Sequence, residues 1–184
     1  MEGIEALMRH IYLFPLVGAA LGLIYAAIAL ALTAVVPPGI AAALIIVAIF
    51  KLCGINHADG LADFGDGVGA HTTVDKKIAA MKDVHIGTGG VLFVTLSILA
   101  VYGSLTAIPA AALPVSLVVA EVAAKQSMVA FAAFSTPLHQ GFGSVAFQKL
   151  PPGRLLLGLS AGGQLLWRLR RANSGIARVS RPEP

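Results

Sequence analysis

Charged side chains are absent from three long stretches of the chain: residues 10–50, 84–120 and 126–148. Each exceeds the roughly 20 residues that cross the hydrocarbon core of a bilayer. Proline and glycine divide these stretches into helices. The first is predicted over Ile11–Val36 and ends at Pro37 and Pro38. The second runs from Gly39 to about Leu52 and completes a helical hairpin. A third is predicted from Thr88 to about Ile108, with Pro109 and Pro114 marking the next turn. A fourth runs from Leu117 to about Phe134 and stops at Ser135, Thr136 and Pro137. Gly141–Phe147 is glycine-interrupted and reads as re-entrant or interfacial. Between Arg154 and Arg170 only 13 consecutive residues lack charge, short for a crossing, so this segment lies along the interface, the preferred reading, or crosses with its arginines snorkelling. The pattern predicts an all-α, polytopic membrane helical bundle with four spans plus interfacial segments. Residues 1–170 form one integral-membrane domain, and 171–184 form a basic, disordered tail.

Composition removes the main alternative. Apolar residues make up 57% of the chain and charged residues 12%, too little polar surface to cover a water-soluble core of this size. The net charge of +4 arises from basic residues scattered between membrane segments. They form no patch with interleaved aromatics, so no nucleic-acid partner is expected, and the lipid bilayer is the natural one. Cys53 is the single cysteine and can form neither an intrachain disulfide nor a zinc cluster. Glu2 and Glu5 stand where a signal peptide would carry basic residues. Counting passes puts the acidic segment 51–83 on the same side as the N-terminus. Its four lysines, Lys51, Lys76, Lys77 and Lys82, favour the cytoplasm.

Candidate chemistry concentrates in that segment. In Asn56-His57-Ala58-Asp59-Gly60-Leu61-Ala62-Asp63-Phe64-Gly65-Asp66-Gly67, the three aspartates are spaced by four and three residues. On a helix they fall within roughly 60° of one another, and Asn56 extends the face by one turn. Carboxylates this close repel unless a cation shares them, and hard oxygen ligands select magnesium or manganese. An EF-hand is excluded because its alternating oxygen ligands and terminal glutamate are absent. A solvated acidic loop is the bland alternative, disfavoured directly after a membrane helix. His57 lies on another side of the helix, as a substrate contact, a proton acceptor or a histidine bonded to backbone.

Met81-Lys82-Asp83-Val84-His85-Ile86-Gly87-Thr88-Gly89-Gly90 is a second polar group. Asp83 would complete a metal site, and Gly87 to Gly90 allow the backbone to approach a phosphate closely. A cap and turn before the third span explains the same residues. Lys76 and Lys77 would attract a diphosphate or enforce topology. Glu121 and Lys125 form an i,i+4 pair in an apolar helix, for ion pairing or substrate contact. His139 is a further candidate substrate contact or a surface histidine. Gly18 and Gly22, four apart, would let helices approach closely, within the chain or across a homo-oligomer.

At these residues the chain resembles the cobalamin synthase family, the adenosylcobinamide-GDP ribazoletransferases. The resemblance rests on the Asn56–Gly67 run, Met81-Lys82-Asp83, Ile86-Gly87-Thr88, Phe14-Pro15-Leu16-Val17-Gly18 and Glu121-Val122-Ala123-Ala124-Lys125-Gln126-Ser127-Met128, with Pro137, Gly141 and Gly143. It implies transfer of the adenosylcobinamide phosphate unit of adenosylcobinamide-GDP to α-ribazole or its 5′-phosphate, with release of GMP, in cobalamin biosynthesis. It implies Mg2+, with Mn2+ as substitute, held by Asp59, Asp63 and Asp66 with Asp83. One aspartate or His57 would accept the proton of the attacking hydroxyl. Asn56, Lys76, Lys77, Lys82, Lys125, Gly87, Thr88 and His139 would hold substrate.

Two departures qualify the match. Lys125 stands where many members have arginine, which keeps the charge but loses the bidentate fork. A C-terminal glycine- and aspartate-containing segment is expected from the family, and Arg168–Pro184 offers only Glu183. The chain is therefore expected to hold metal while being weakly active or inactive alone. The rivals are a phosphatidyl-type alcohol phosphotransferase, disfavoured because the aspartate run has no arginine, and a small divalent-cation transporter, which would bury its ligands near the bilayer midplane.

Overall fold

The structure, a computed structural model, describes residues 10–134 together with 160, 163–164 and 167–168. A single 3-10 turn, Ile11–Leu13, leads into helix α1, Phe14–Val35. Helices α2 (Pro38–Cys53), α3 (Asn56–Gly69), α4 (Val74–Met81), α5 (Thr88–Ala107) and α6 (Leu113–Phe134) follow. The described residues contain no strand, as expected of an all-α chain.

Three helical segments are long and apolar enough to cross a membrane: Ile11–Val35, Thr88–Ala107 and Leu113–Ala132. The protein is thus a multi-pass membrane protein. On α5, Leu92, Leu96 and Leu99 are all more than half exposed, a surface suited to lipid and costly in water.

The expected second crossing takes a different form. Helix α2 has 16 residues, about 24 Å at 1.5 Å per residue against a hydrocarbon core of about 30 Å. It reaches span length only together with α3, and the two are bent by 96° at the break between them. The bend forms at Gly54, whose φ of 80° and ψ of 164° lie in a region open essentially only to glycine. Three long spans, or four counting the bent pair, replace the four separate crossings expected.

One boundary also moves, and one helix is added. Helix α6 begins at Leu113, so Pro114 sits in its first turn rather than in the preceding loop, where a missing N–H costs nothing. Residues 74–81 form a helix that its short length conceals in the sequence. Gly141–Phe147, most of Arg154–Arg170 and the 171–184 tail lie outside the described residues.

The chain divides into two compact units. In the unit that holds α1 up to Leu30 together with α6, Gly18 and Gly22 are buried against the α6 backbone. A Cβ on Gly18 would lie 2.6 Å from the Glu121 carbonyl oxygen, and one on Gly22 would lie 2.6 Å from the Val118 Cα. Ala26, Val118 and Val122 continue this contact as an apolar cluster. The small-residue face is therefore used inside the chain, whereas its spacing alone also allowed a second copy. The other unit, Ala31–Pro109, contains α2 to α5 and the candidate site.

Candidate active site

Helix α3 is a poor helix on propensity alone. Gly60, Gly65, Gly67 and Gly69 lie within its 14 residues, and each costs up to about 1 kcal/mol relative to alanine. Packing explains why it forms. A Cβ on Gly65 would stand 2.7 Å from the Gly89 carbonyl oxygen, and one on Gly89 would stand 2.5 Å from the Gly65 carbonyl oxygen. Backbones this close require glycine on both sides. Phe64 and Phe93 flank the crossing edge to face, their ring centroids 6.0 Å apart at 72°. Gly67 is buried where a Cβ would meet Met81 of α4.

This contact carries Asp66 to the start of α5. The N-cap residue of α5 is Gly87, which has no side chain to accept from the first-turn amides. Asp66 supplies that acceptor from α3. Its Oδ2 accepts from the Gly87 N–H and its Oδ1 from the Gly90 N–H, both at 2.8 Å. A carboxylate here meets unpaired amides and the positive end of the helix dipole. Each such charged hydrogen bond contributes on the order of 1.5–3 kcal/mol. The amides that were expected to approach a phosphate are thus met by an aspartate of the same chain.

Beside this junction lies a cavity of about 410 Å³ whose walls include Asp66, Asp83, His85, Ile86, Gly87 and Gly89. The structure therefore brings Asp66 and Asp83 to one cavity. Asp83 Oδ1 lies 2.8 Å from His85 Nδ1 and accepts from the His85 backbone N–H at 2.9 Å. Those two hydrogen bonds hold the Asp83 carboxyl below its ordinary value of 3.8. Sequence reasoning missed His85 as a partner of Asp83; their two-residue spacing, typical of an aspartate that bonds back onto its own loop, was the available signal.

The remaining candidates fall into three groups. Asp59 is exposed and Asp63 half-buried on α3, one turn apart, and neither carboxylate makes a hydrogen bond or ion pair among the described residues. Asn56 and His57 are exposed in the first turn of the same helix, and neither lines the cavity. Lys76 and Lys82 are exposed and Lys77 is half-buried, on α4 and at its end, while Thr88 is exposed at the first position of α5. Lys125 belongs to the other unit, where its Nζ lies 3.6 Å from Glu121 Oε2. His139 lies outside the described residues.

Among the described residues, no three of His, Cys, Asp and Glu converge as a metal cage. Magnesium does not need one. It is commonly held by one or two carboxylates and completed by water and substrate phosphates. Asp59 and Asp63, unengaged and one turn apart on a helix, fit that demand.

Membrane-length helices with an aspartate-bearing helix docked on the start of one of them define an all-helical, multi-pass membrane protein. The chain belongs to the Cobalamin-5-phosphate synthase family, whose profile matches residues 2–178. It is similar to the Adenosylcobinamide-GDP ribazoletransferase of Methanosarcina barkeri, 41% identical over 180 aligned residues that cover 88% of this chain and 64% of that protein. The protein of the same name from Methanococcoides burtonii is 39% identical over 155 residues, covering 79% of this chain and 57% of that one. The chain thus spans less than two thirds of the length of these curated relatives. No solved structure matches it.

Proposed function

We propose that this chain carries out, or carries the metal-binding part of, magnesium-dependent transfer of the adenosylcobinamide phosphate unit from adenosylcobinamide-GDP to α-ribazole or its 5′-phosphate. The observation that carries this reading is the pair Asp59 and Asp63, unengaged among the described residues, on a helix that Asp66 fixes to the start of α5. Membership of the family supports it, as does the likeness to chains named for this reaction.

The reaction forms a bond between the ribazole 5′-oxygen and the phosphorus next to the adenosylcobinamide unit. The P–O bond to the second phosphate breaks, and GMP leaves with that oxygen. The hydroxyl proton passes to a base, for which an α3 aspartate and His57 are the candidates. No protein nucleophile is needed. A bound Mg2+ supplies charge neutralisation at the diphosphate.

The chain's own contribution is positional. Asp59 and Asp63 would hold the ion, with Asp83 at the neighbouring cavity. Lys76, Lys77 and Lys82 would draw the diphosphate towards it. The lysines favour a cytoplasmic location for segment 51–83, where nucleotide-linked substrates are found.

The test is Mg2+-dependent retention of adenosylcobinamide-GDP by detergent-purified protein in equilibrium dialysis. Binding should fall at least about tenfold on chelation and in Asp59→Asn and Asp63→Asn, as expected when a bridging ion is lost. Binding that ignores both the metal and the substitutions would reject the site.

A further inference from the structure

We propose that Asp66, although it belongs to the aspartate series, is a positioning residue. Its carboxylate is committed to the Gly87 and Gly90 amides, and it sets α3 so that Asp59 and Asp63 are the carboxylates this helix presents to metal. The inference rests on the reading above for what Asp59 and Asp63 do. The junction itself stands on geometry alone.

Three observations separate Asp66 from its neighbours. Both of its oxygens accept backbone N–H groups at 2.8 Å, whereas Asp59 and Asp63 accept none from the described residues. The amides concerned have no alternative partner in the helix. Gly87 and Gly90 lie at or before the third position of α5, and the intrahelical ladder starts with the Val91 N–H donating to the Gly87 carbonyl. Glycine at both positions leaves room for this carboxylate. A Cβ on Gly87 would collide with the Asp66 carboxylate, and one on Gly90 would lie 2.8 Å from Asp66 Oδ2 and 2.8 Å from the Ala62 carbonyl oxygen.

Electrostatics point the same way. An oxygen that accepts one amide keeps a second lone pair, so donor count alone does not exclude metal. A divalent cation on Asp66, however, would stand against the positive end of α5, where cations are disfavoured. Asp63, three residues earlier, and Asp59, a turn further, share the helix face of Asp66 and accept from neither of those amides. The three aspartates thus have different roles. One holds helices together, and two are left for the ion.

Removing a partner that orients a metal ligand costs about 10- to 100-fold in affinity, whereas the site and its stoichiometry survive. The experiment combines Mn2+ titration by EPR with amide hydrogen exchange on the full chain in detergent. In metal-free wild-type protein, the Gly87 and Gly90 amides should exchange slowly, and saturating Mn2+ should leave their rates within about twofold. Asp66→Asn, which keeps one acceptor oxygen, should lose up to about tenfold in Mn2+ affinity, and Asp66→Ala about 10- to 100-fold. Both should still bind one ion per chain and exchange faster at Gly87 and Gly90. This graded affinity marks positioning, since a role in stability alone would leave affinity unchanged below the melting temperature.

Abolished Mn2+ binding in Asp66→Asn would overturn the proposal, whatever the exchange does. So would fast exchange of Gly87 and Gly90 in metal-free wild-type protein, or a large change in their rates on adding Mn2+. Those wild-type measurements decide the matter even where an Asp66 variant does not fold. If wild-type protein binds no Mn2+ while its Gly87 and Gly90 amides are protected, the junction stands and the metal reading of Asp59 and Asp63 falls.

Discussion

Lys125 and Glu121 face each other one turn apart on α6, Nζ to Oε2 at 3.6 Å, with both side chains more than 85% buried. The distance is that of an ion pair without a hydrogen bond, and Glu121 Oε2 has no hydrogen-bond partner among the described residues. Gly18 of α1 permits the arrangement, because a Cβ there would lie 3.0 Å from Lys125 Cγ. The position reads as helix packing in which the charge of Lys125 compensates Glu121.

Lys125→Met should therefore destabilise the protein by about 3 kcal/mol, because it strands a buried carboxylate. The double change Glu121→Gln with Lys125→Met should recover most of that loss. Thermal unfolding in detergent measures both. A double variant no more stable than the single one would show that the pair is not the source of the effect.

The Gly65–Gly89 contact predicts opposite outcomes for two glycines of one helix. Gly65→Ala places a Cβ 2.7 Å from the Gly89 carbonyl oxygen and 2.8 Å from Phe93 Cβ, and overpacking of this kind costs about 1–3 kcal/mol. Gly60 has no atom within 4 Å of its would-be Cβ, so Gly60→Ala should gain up to about 1 kcal/mol of helix propensity. Chemical unfolding of the two variants should move in opposite directions. Equal shifts would mean that α3 does not press on α5 at Gly65.

Asp83 offers a pH prediction. Its hydrogen bonds from His85 hold its folded-state pKa below 3.8. A depressed carboxylate adds stability that is present above its unfolded pKa and disappears as pH falls through the folded value. Carboxyl-carbon NMR should place the Asp83 midpoint below 3.8, and His85→Ala should move it upward. A wild-type midpoint at or above 3.8 would remove the interaction.

Much of this was legible in the sequence because charge-free runs longer than a bilayer admit few structures. The ends of α5 follow from the glycines before it and from Pro109 within such a run, and the shared helix of Asp59, Asp63 and Asp66 from a spacing of four and three. The bend at Gly54 was not legible, since a glycine after an apolar run signals an end without giving the angle. The role of Asp66 was hidden for a different reason. Its partners are backbone amides 21 and 24 residues away, and amides carry no sequence signature. Pro114 misled because proline marks both a loop and the first turn of a helix.

The central claim is that carboxylates on α3 bring a divalent ion to the transfer of a corrinoid phosphate. The most direct measurement is GMP release from adenosylcobinamide-GDP by the purified protein with α-ribazole, titrated with Mg2+ and run beside Asp63→Asn. The account predicts release that rises with Mg2+, accompanies formation of the joined corrinoid, and falls by at least about 100-fold in Asp63→Asn, a loss typical of a charge-stabilising group. Equal release by the wild-type protein and Asp63→Asn across the Mg2+ titration would contradict it.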